Sequence, residues 1–120
     1  MQRLKDKIEK WFGEGIEYKW KIYDIQTVIW NHLWIDEISN DCDVIFLALP
    51  HGLTSKLINQ DILSKTKIID LGADFRLKDV DNYENWYDTK HESPNLLEKS
   101  VYGLCEINRE HIKEARLIAN

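Results

Sequence analysis

The chain has 120 residues, enough for one compact domain and hardly two. Hydrophobic residues make up 43% and charged residues 31%, which excludes a disordered chain. The net charge of −5, with Lys and Glu alternating wherever they occur, excludes the basic surface that a nucleic-acid partner requires.

No apolar run is long enough to cross a bilayer, and the N-terminus lacks a signal-peptide core, so no membrane partner is expected. Cys42 and Cys105 stand far apart, which argues against a disulfide framework and for a reducing cytoplasm. No CxxC or HxxxH pair is present, and no metal site is expected.

In chain order, Leu4, Ile8, Trp11 and Phe12 fall at helical spacing, predicting an amphipathic helix over 2–12 that ends at Gly13-Glu14-Gly15. Residues 18–30 are partly alternating and rich in aromatic and β-branched side chains, a strand-like pattern. Residues 35–40 read as a short helix or turn. Residues 43–49 form a strand apolar on both faces, as a central parallel strand would be. Leu53, Leu57, Ile58 and Ile62 predict one helix within 51–63, and "KIIDL" (67–71) a second buried strand. Strand, helix, strand over this length is a βαβ unit. Residues 79–87 predict a helical turn. Ser93-Pro94 starts a helix, with Ser as N-cap and Pro at the first helical position. Asn108 is expected to cap a further helix to about Ala115, before a third strand in "RLIAN" (116–120).

The polar residues of interest all follow strands: Pro50-His51-Gly52, then Gly72-Ala73-Asp74-Phe75-Arg76, then Asn120. Open α/β sheets bind ligands at that edge. His51 has two readings, a solvent-facing residue in a turn or the rim of a loop lying along a nucleotide, where the next helix's amides favour anions. Asp74 and Arg76 form a local ion pair, or Arg76 stays free to grip a dianion through two parallel hydrogen bonds. Cys105, beside Glu106, is read as structural, since a nucleophilic thiol needs a base or a positive surrounding. Cys42, at a strand entrance between two aspartates, has still less claim to reactivity. His91 and His111 are expected to be solvated and His32 to pack. Tyr83, Trp86 and Tyr87 form a loop core or a stacking platform. Trp11, Trp20, Trp30 and Trp34 crowd the first third, as core or as an interaction surface.

Taken together, "DVIFLALPHG", "KIIDLGADFRLKD", "YENWY", "VYGLCEINRE" and "KEARLIAN" resemble N-acetyl-gamma-glutamyl-phosphate reductase, over about residues 37–120. The resemblance implies an NADPH-dependent enzyme of arginine biosynthesis, in the semialdehyde dehydrogenase superfamily, acting on an acyl phosphate. It implies an α/β fold, here an incomplete Rossmann-like parallel sheet with flanking helices. By position, Pro50, His51, Gly52, Gly72 and Ala73 would border the NADP cofactor. Arg76 would hold the substrate's phosphate, and Tyr102-Gly103 would lie near the active site.

Three departures from the family pattern shape the expectation. The Gly-rich turn after a first strand has only Gly13 and Gly15 to match it, after a helix-like segment. The family's nucleophilic cysteine follows the Ile-Ala-Asn segment, with which this chain ends, so no catalytic residue is assigned. Cys105 stands where the family has proline, and Gly72 where it has serine. The chain is expected to be part of such a reductase, not competent alone, with a divergent segment at 1–36 and a partial nucleotide-binding domain at 37–120. The competing readings are a non-catalytic α/β binding module, and a partner that docks with a second half or with its own copy.

Overall fold

A computed structural model describes residues 34–120. The helix expected over 2–12, the strand-like stretch 18–30, Trp11, Trp20, Trp30, His32 and the Trp34 side chain lie outside the described residues.

The described chain runs α1 (Trp34–Asp41), β1 (Val44–Leu47), α2 (Leu53–Leu57), α3 (Gln60–Lys65), β2 (Lys67–Asp70), α4 (Val80–Tyr87), a 3-10 turn (Pro94–Leu96), β3 (Ser100–Tyr102), α5 (Cys105–Glu114) and β4 (Leu117–Ala119). The four strands are all parallel, in the order β1-β2-β4-β3. This is the α/β, Rossmann-like sheet with flanking helices that the strand–helix–strand pattern predicts. Among the described residues no helix is long and apolar enough to cross a membrane.

The register decides which side chains meet. Ile45, Ile68 and Leu117 align across β1, β2 and β4, as do Leu47, Asp70 and Ala119 one pleat further on. That face carries the core, joined by Leu57, Ile62 and Leu63 from α2 and α3 and by Phe75, Leu96 and Leu97. Ile62, Ile68 and Leu117 are fully enclosed. The opposite face of β1 and β2 is only half-covered or exposed at Val44, Phe46, Lys67 and Ile69. Strand β1 is apolar on both faces, as expected, with Val44 and Phe46 on one and Ile45 and Leu47 on the other. It ends the described strand order, and Val44 is 39% exposed.

Three local expectations are revised. The single helix over 51–63 is two, broken at Ile58, which is extended. The Asn59 side chain accepts from Ile62 N at 2.9 Å and caps α3, a local bond that competes with continuing the helix. Ser93 leaves its own turn uncapped, because its hydroxyl donates to the Ser55 and Ile58 carbonyls at 2.6 and 3.3 Å, satisfying groups orphaned at the end of α2. Helix α5 starts at Cys105, three residues before Asn108, whose side-chain amide instead donates back to Tyr102 O at 3.0 Å. Asp79 does cap α4, accepting from Asn82 N at 2.8 Å. Strand β3 has only three residues, too few for a legible alternation.

Candidate functional site

The four strands end level, since Leu47, Asp70, Ala119 and Tyr102 pair side by side. Beyond the ladder, Leu71 N donates to Leu47 O at 2.8 Å, Asn120 N to Asp70 O at 2.9 Å, and Gly103 N to Ala119 O at 2.6 Å. The segments singled out in the sequence, 50–52, 72–76, 103 and Asn120, are thereby brought to one edge.

Pro50 and His51 are exposed and Gly52 is buried. The Pro50 carbonyl accepts from Leu53 N at 3.2 Å, closing a turn into α2. Gly52 is left-handed at φ +82°, and a Cβ there would lie 2.5 Å from Thr89 Cγ2. Only glycine meets both conditions. Gly52→Ala is expected to cost at least about 1–2 kcal/mol of stability, read as a lower urea midpoint. The His51 ring lies against Tyr87 with centroids 4.7 Å apart.

The second loop is organised by Asp74, which is 1% exposed. Its Oδ1 accepts from Gly52 N at 2.8 Å and from the Tyr83 hydroxyl at 2.7 Å, and its Oδ2 from Ser55 N at 2.9 Å. Two of the amides around the start of α2, those of Gly52 and Ser55, thus already meet a carboxylate of the chain itself. The local Asp74–Arg76 ion pair does not form. Burial, reinforced by the Asp74 carboxylate, pushes the Tyr83 phenol far above its ordinary value and keeps it a donor. The Asp74 carbonyl is 2.6 Å from His91 Nε2, while Ser93 N donates to Nδ1, which fixes the Nε2–H tautomer. His91 is 2% exposed, contrary to the expectation of a solvated residue. Its partners are non-local, and local polarity gives no sign of them.

Asp70 is fully buried on the core face. Its Oδ1 accepts from Thr54 Oγ1 at 3.1 Å and from Gly72 N at 3.0 Å, while the buried Oδ2 has no partner among the described residues. Burial raises its pKa and the Asp74 charge adds to the rise, outweighing the Gly72 amide, the Thr54 hydroxyl and the Arg76 charge. The folded state therefore holds this proton more tightly than the unfolded chain. Stability from this group is present below the unfolded carboxylate pKa and lost as pH rises through the folded one. Asp70→Asn keeps the acceptor and removes the charge. Its urea midpoint relative to the unmodified chain is expected to climb across that window and stay level above it.

Gly72 is closely packed, since a Cβ would lie 3.1 Å from the Asp70 carboxylate Oδ1 and 3.3 Å from Leu49 O. Ala73 is 3% exposed, so its side chain faces the protein. Arg76 is exposed and donates through Nη2 to Gly72 O at 3.2 Å and Asn120 O at 2.7 Å. A guanidinium has five N–H groups, so three remain beyond these contacts. Tyr102 is 44% exposed at the end of β3. Lys78, its pKa lowered by burial, donates to Leu97 O at 2.7 Å and also to Ser100, tying the loop to β3. Of the aromatic group, Tyr83 is core, Trp86 is 80% exposed and Tyr87 bridges to His51. Cys105 is exposed in the first turn of α5, where its packing does not support a structural role; His111 is exposed, as expected. Among the described residues no group of three or more His, Cys, Asp or Glu is placed to hold a metal ion.

Sequence reasoning named Asp74 only as a partner for Arg76, and passed over Asp70, Thr54 and Ser55. The signal was there in part: Asp70 and Asp74 bracket Gly72-Ala73, a spacing that sets two carboxylates in one loop.

A protein-family model described as "Semialdehyde dehydrogenase, NAD binding domain" matches residues 13–115. The chain is 47% identical over 116 residues to an N-acetyl-gamma-glutamyl-phosphate reductase of Lachnoclostridium phytofermentans, covering 97% of this chain and 33% of the relative. It is 56% identical over 87 residues to the protein of the same name from Lachnospira eligens, covering 72% and 25%. With the one from Pseudomonas fluorescens the identity is 55% over 78 residues, covering 65% and 23%. The chain spans about a quarter to a third of the length of these relatives.

Proposed function

The chain belongs to the family of semialdehyde dehydrogenase NAD-binding domains, and on that footing we propose that it supplies the nucleotide side of an NADPH-dependent reduction of an acyl phosphate to a semialdehyde. The observation that carries this reading is 47–56% identity to proteins named N-acetyl-gamma-glutamyl-phosphate reductase. The meeting of both candidate loops at the carboxyl edge of a parallel sheet supports it.

In this reading Pro50, His51 and Gly52 border the cofactor from one loop, and Gly72 and Ala73 from the other. The bound cofactor supplies the hydride, and the protein orients it and excludes water. Arg76 presents its remaining N–H groups to the substrate's phosphate, aimed by its two carbonyl contacts. Covalent chemistry is assigned to no residue of this chain. Residues 37–120 hold the nucleotide-side loops of that reaction. The unpaired thiols of Cys42 and Cys105 suit a cytoplasmic setting.

Titration with NADPH, followed by nucleotide fluorescence, is expected to saturate. With NADPH bound, Arg76→Ala should weaken acetyl phosphate binding by about 10- to 100-fold, the range for losing hydrogen bonds to a charged group, and leave the NADPH Kd unchanged. A chain that takes up no NADPH overturns the reading. Uptake of NADPH with no binding of acetyl phosphate would favour a nucleotide-binding module.

A further inference from the structure

Around Asp74 the contacts close on themselves. Its Oδ1 accepts from the Gly52 amide, and Gly52 is bonded to His51. The His51 ring lies 4.7 Å from Tyr87, and Tyr87 lies 5.0 Å from Tyr83. The Tyr83 hydroxyl returns to the same Asp74 oxygen at 2.7 Å. A second tie runs from Oδ2 to Ser55 N, whose hydroxyl in turn donates to Gly52 O at 3.2 Å. Within this ring of contacts Asp74 and Tyr83 are buried, whereas His51 is exposed at the carboxyl edge of the sheet.

We propose that Asp74 is the positioning residue of the Pro50–Gly52 turn, and that with Tyr83 it sets the direction in which His51 meets the nucleotide. The proposal rests on the cofactor reading above and adds to it a residue that touches no ligand. The physical case is one of constraint. A left-handed glycine leaves a turn free to rotate unless both of its sides are held. Here the amide is held by a carboxylate and the imidazole by a ring. Asp74 supplies the first hold directly. Through Tyr83 and Tyr87 it supports the second. Because the carboxylate takes the Gly52 and Ser55 amides, these two groups serve the turn's geometry, and the exposed His51 is its ligand-facing side chain.

A double-mutant cycle tests this. Tyr83→Phe deletes one donor to Asp74 and keeps the aromatic contact with Tyr87. His51→Ala removes the group being aimed. Tyr83→Phe is expected to weaken NADPH binding about three- to tenfold in the native background, the range for one hydrogen bond, and to cause no further loss on the His51→Ala background. A role in stability alone would give the same factor in both backgrounds, and that result, or an unchanged Kd in the native background, overturns the proposal. Should the unmodified chain take up no NADPH, the cofactor reading fails by itself and NMR decides the positioning claim. Tyr83→Phe should then speed exchange of the Gly52 and Ser55 amides and shift the His51 ring resonances. Unchanged exchange and unchanged resonances would overturn it.

Discussion

Asp74→Ala is expected to lower the stability of the fold by about 3–5 kcal/mol, because a buried hydrogen-bond network loses the acceptor its three donors share. The substitution leaves the Gly52 and Ser55 amides and the Tyr83 hydroxyl enclosed without their acceptor. An unmet buried donor costs about 1–3 kcal/mol, and the three are coupled, so the losses do not simply add. Asp74→Asn should cost less. Its one carbonyl oxygen still serves Gly52 and Tyr83, while its NH2 meets the Ser55 amide donor to donor. Urea unfolding followed by circular dichroism measures both. The two variants unfolding at the same midpoint as the unmodified chain would show that the carboxylate is dispensable to the fold.

Phe75→Ala is the second large effect, again about 3–5 kcal/mol, the cost of a cavity where an aromatic ring was. Phe75 is 1% exposed and belongs to the central cluster. It meets the His91 ring edge-on, with centroids 5.2 Å apart, an arrangement worth about 0.5–1.5 kcal/mol beyond the area it buries. Its carbonyl accepts from Ser100 Oγ at 3.0 Å, which joins the loop to β3. Phe75→Leu keeps most of the volume and should lose less than half as much. The check is the urea midpoint at constant m-value. Equal losses for Ala and Leu would mean that ring geometry matters more than volume.

Phe75 lies between Asp74, which braces the first loop, and Arg76, which reaches Gly72 and Asn120. Sequence order alone makes these three neighbours. Their separate roles come from where each side chain goes: one into a hydrogen-bonded pocket, one into the core, one out to the surface. That explains why Arg76 was legible as a ligand-holding candidate and Asp74 was not. An exposed guanidinium declares its chemistry by type. A buried carboxylate takes its meaning from partners 9 to 22 residues away.

The same distinction runs through the fold. β1 and β2 were legible because an apolar run bounded by turn residues has few other uses. The break between α2 and α3 was not, because Leu57, Ile58 and Ile62 suit one helix as well as two, and the carbonyls that the Asn59 cap frees at the break are met by the distant Ser93 hydroxyl. β3 became a strand by lying beside β4, with Ser100 opposite Leu117. His91 looked solvated among Lys90, Glu92 and Ser93, yet it is enclosed by Phe75 and Tyr83.

By itself the sequence determined the class of fold, the family, and the edge at which the candidate residues gather. Periodicity, strand-ending glycines and motif order are local properties that survive without coordinates. Only the tertiary structure decided that Asp74 takes the Gly52 and Ser55 amides, that Asp70 is buried with one oxygen unpartnered among the described residues, and that His51 leans on Tyr87. Each of these depends on desolvation and on contacts between segments distant in sequence, and burial turns the same carboxylate from a solvated charge into the brace of a turn.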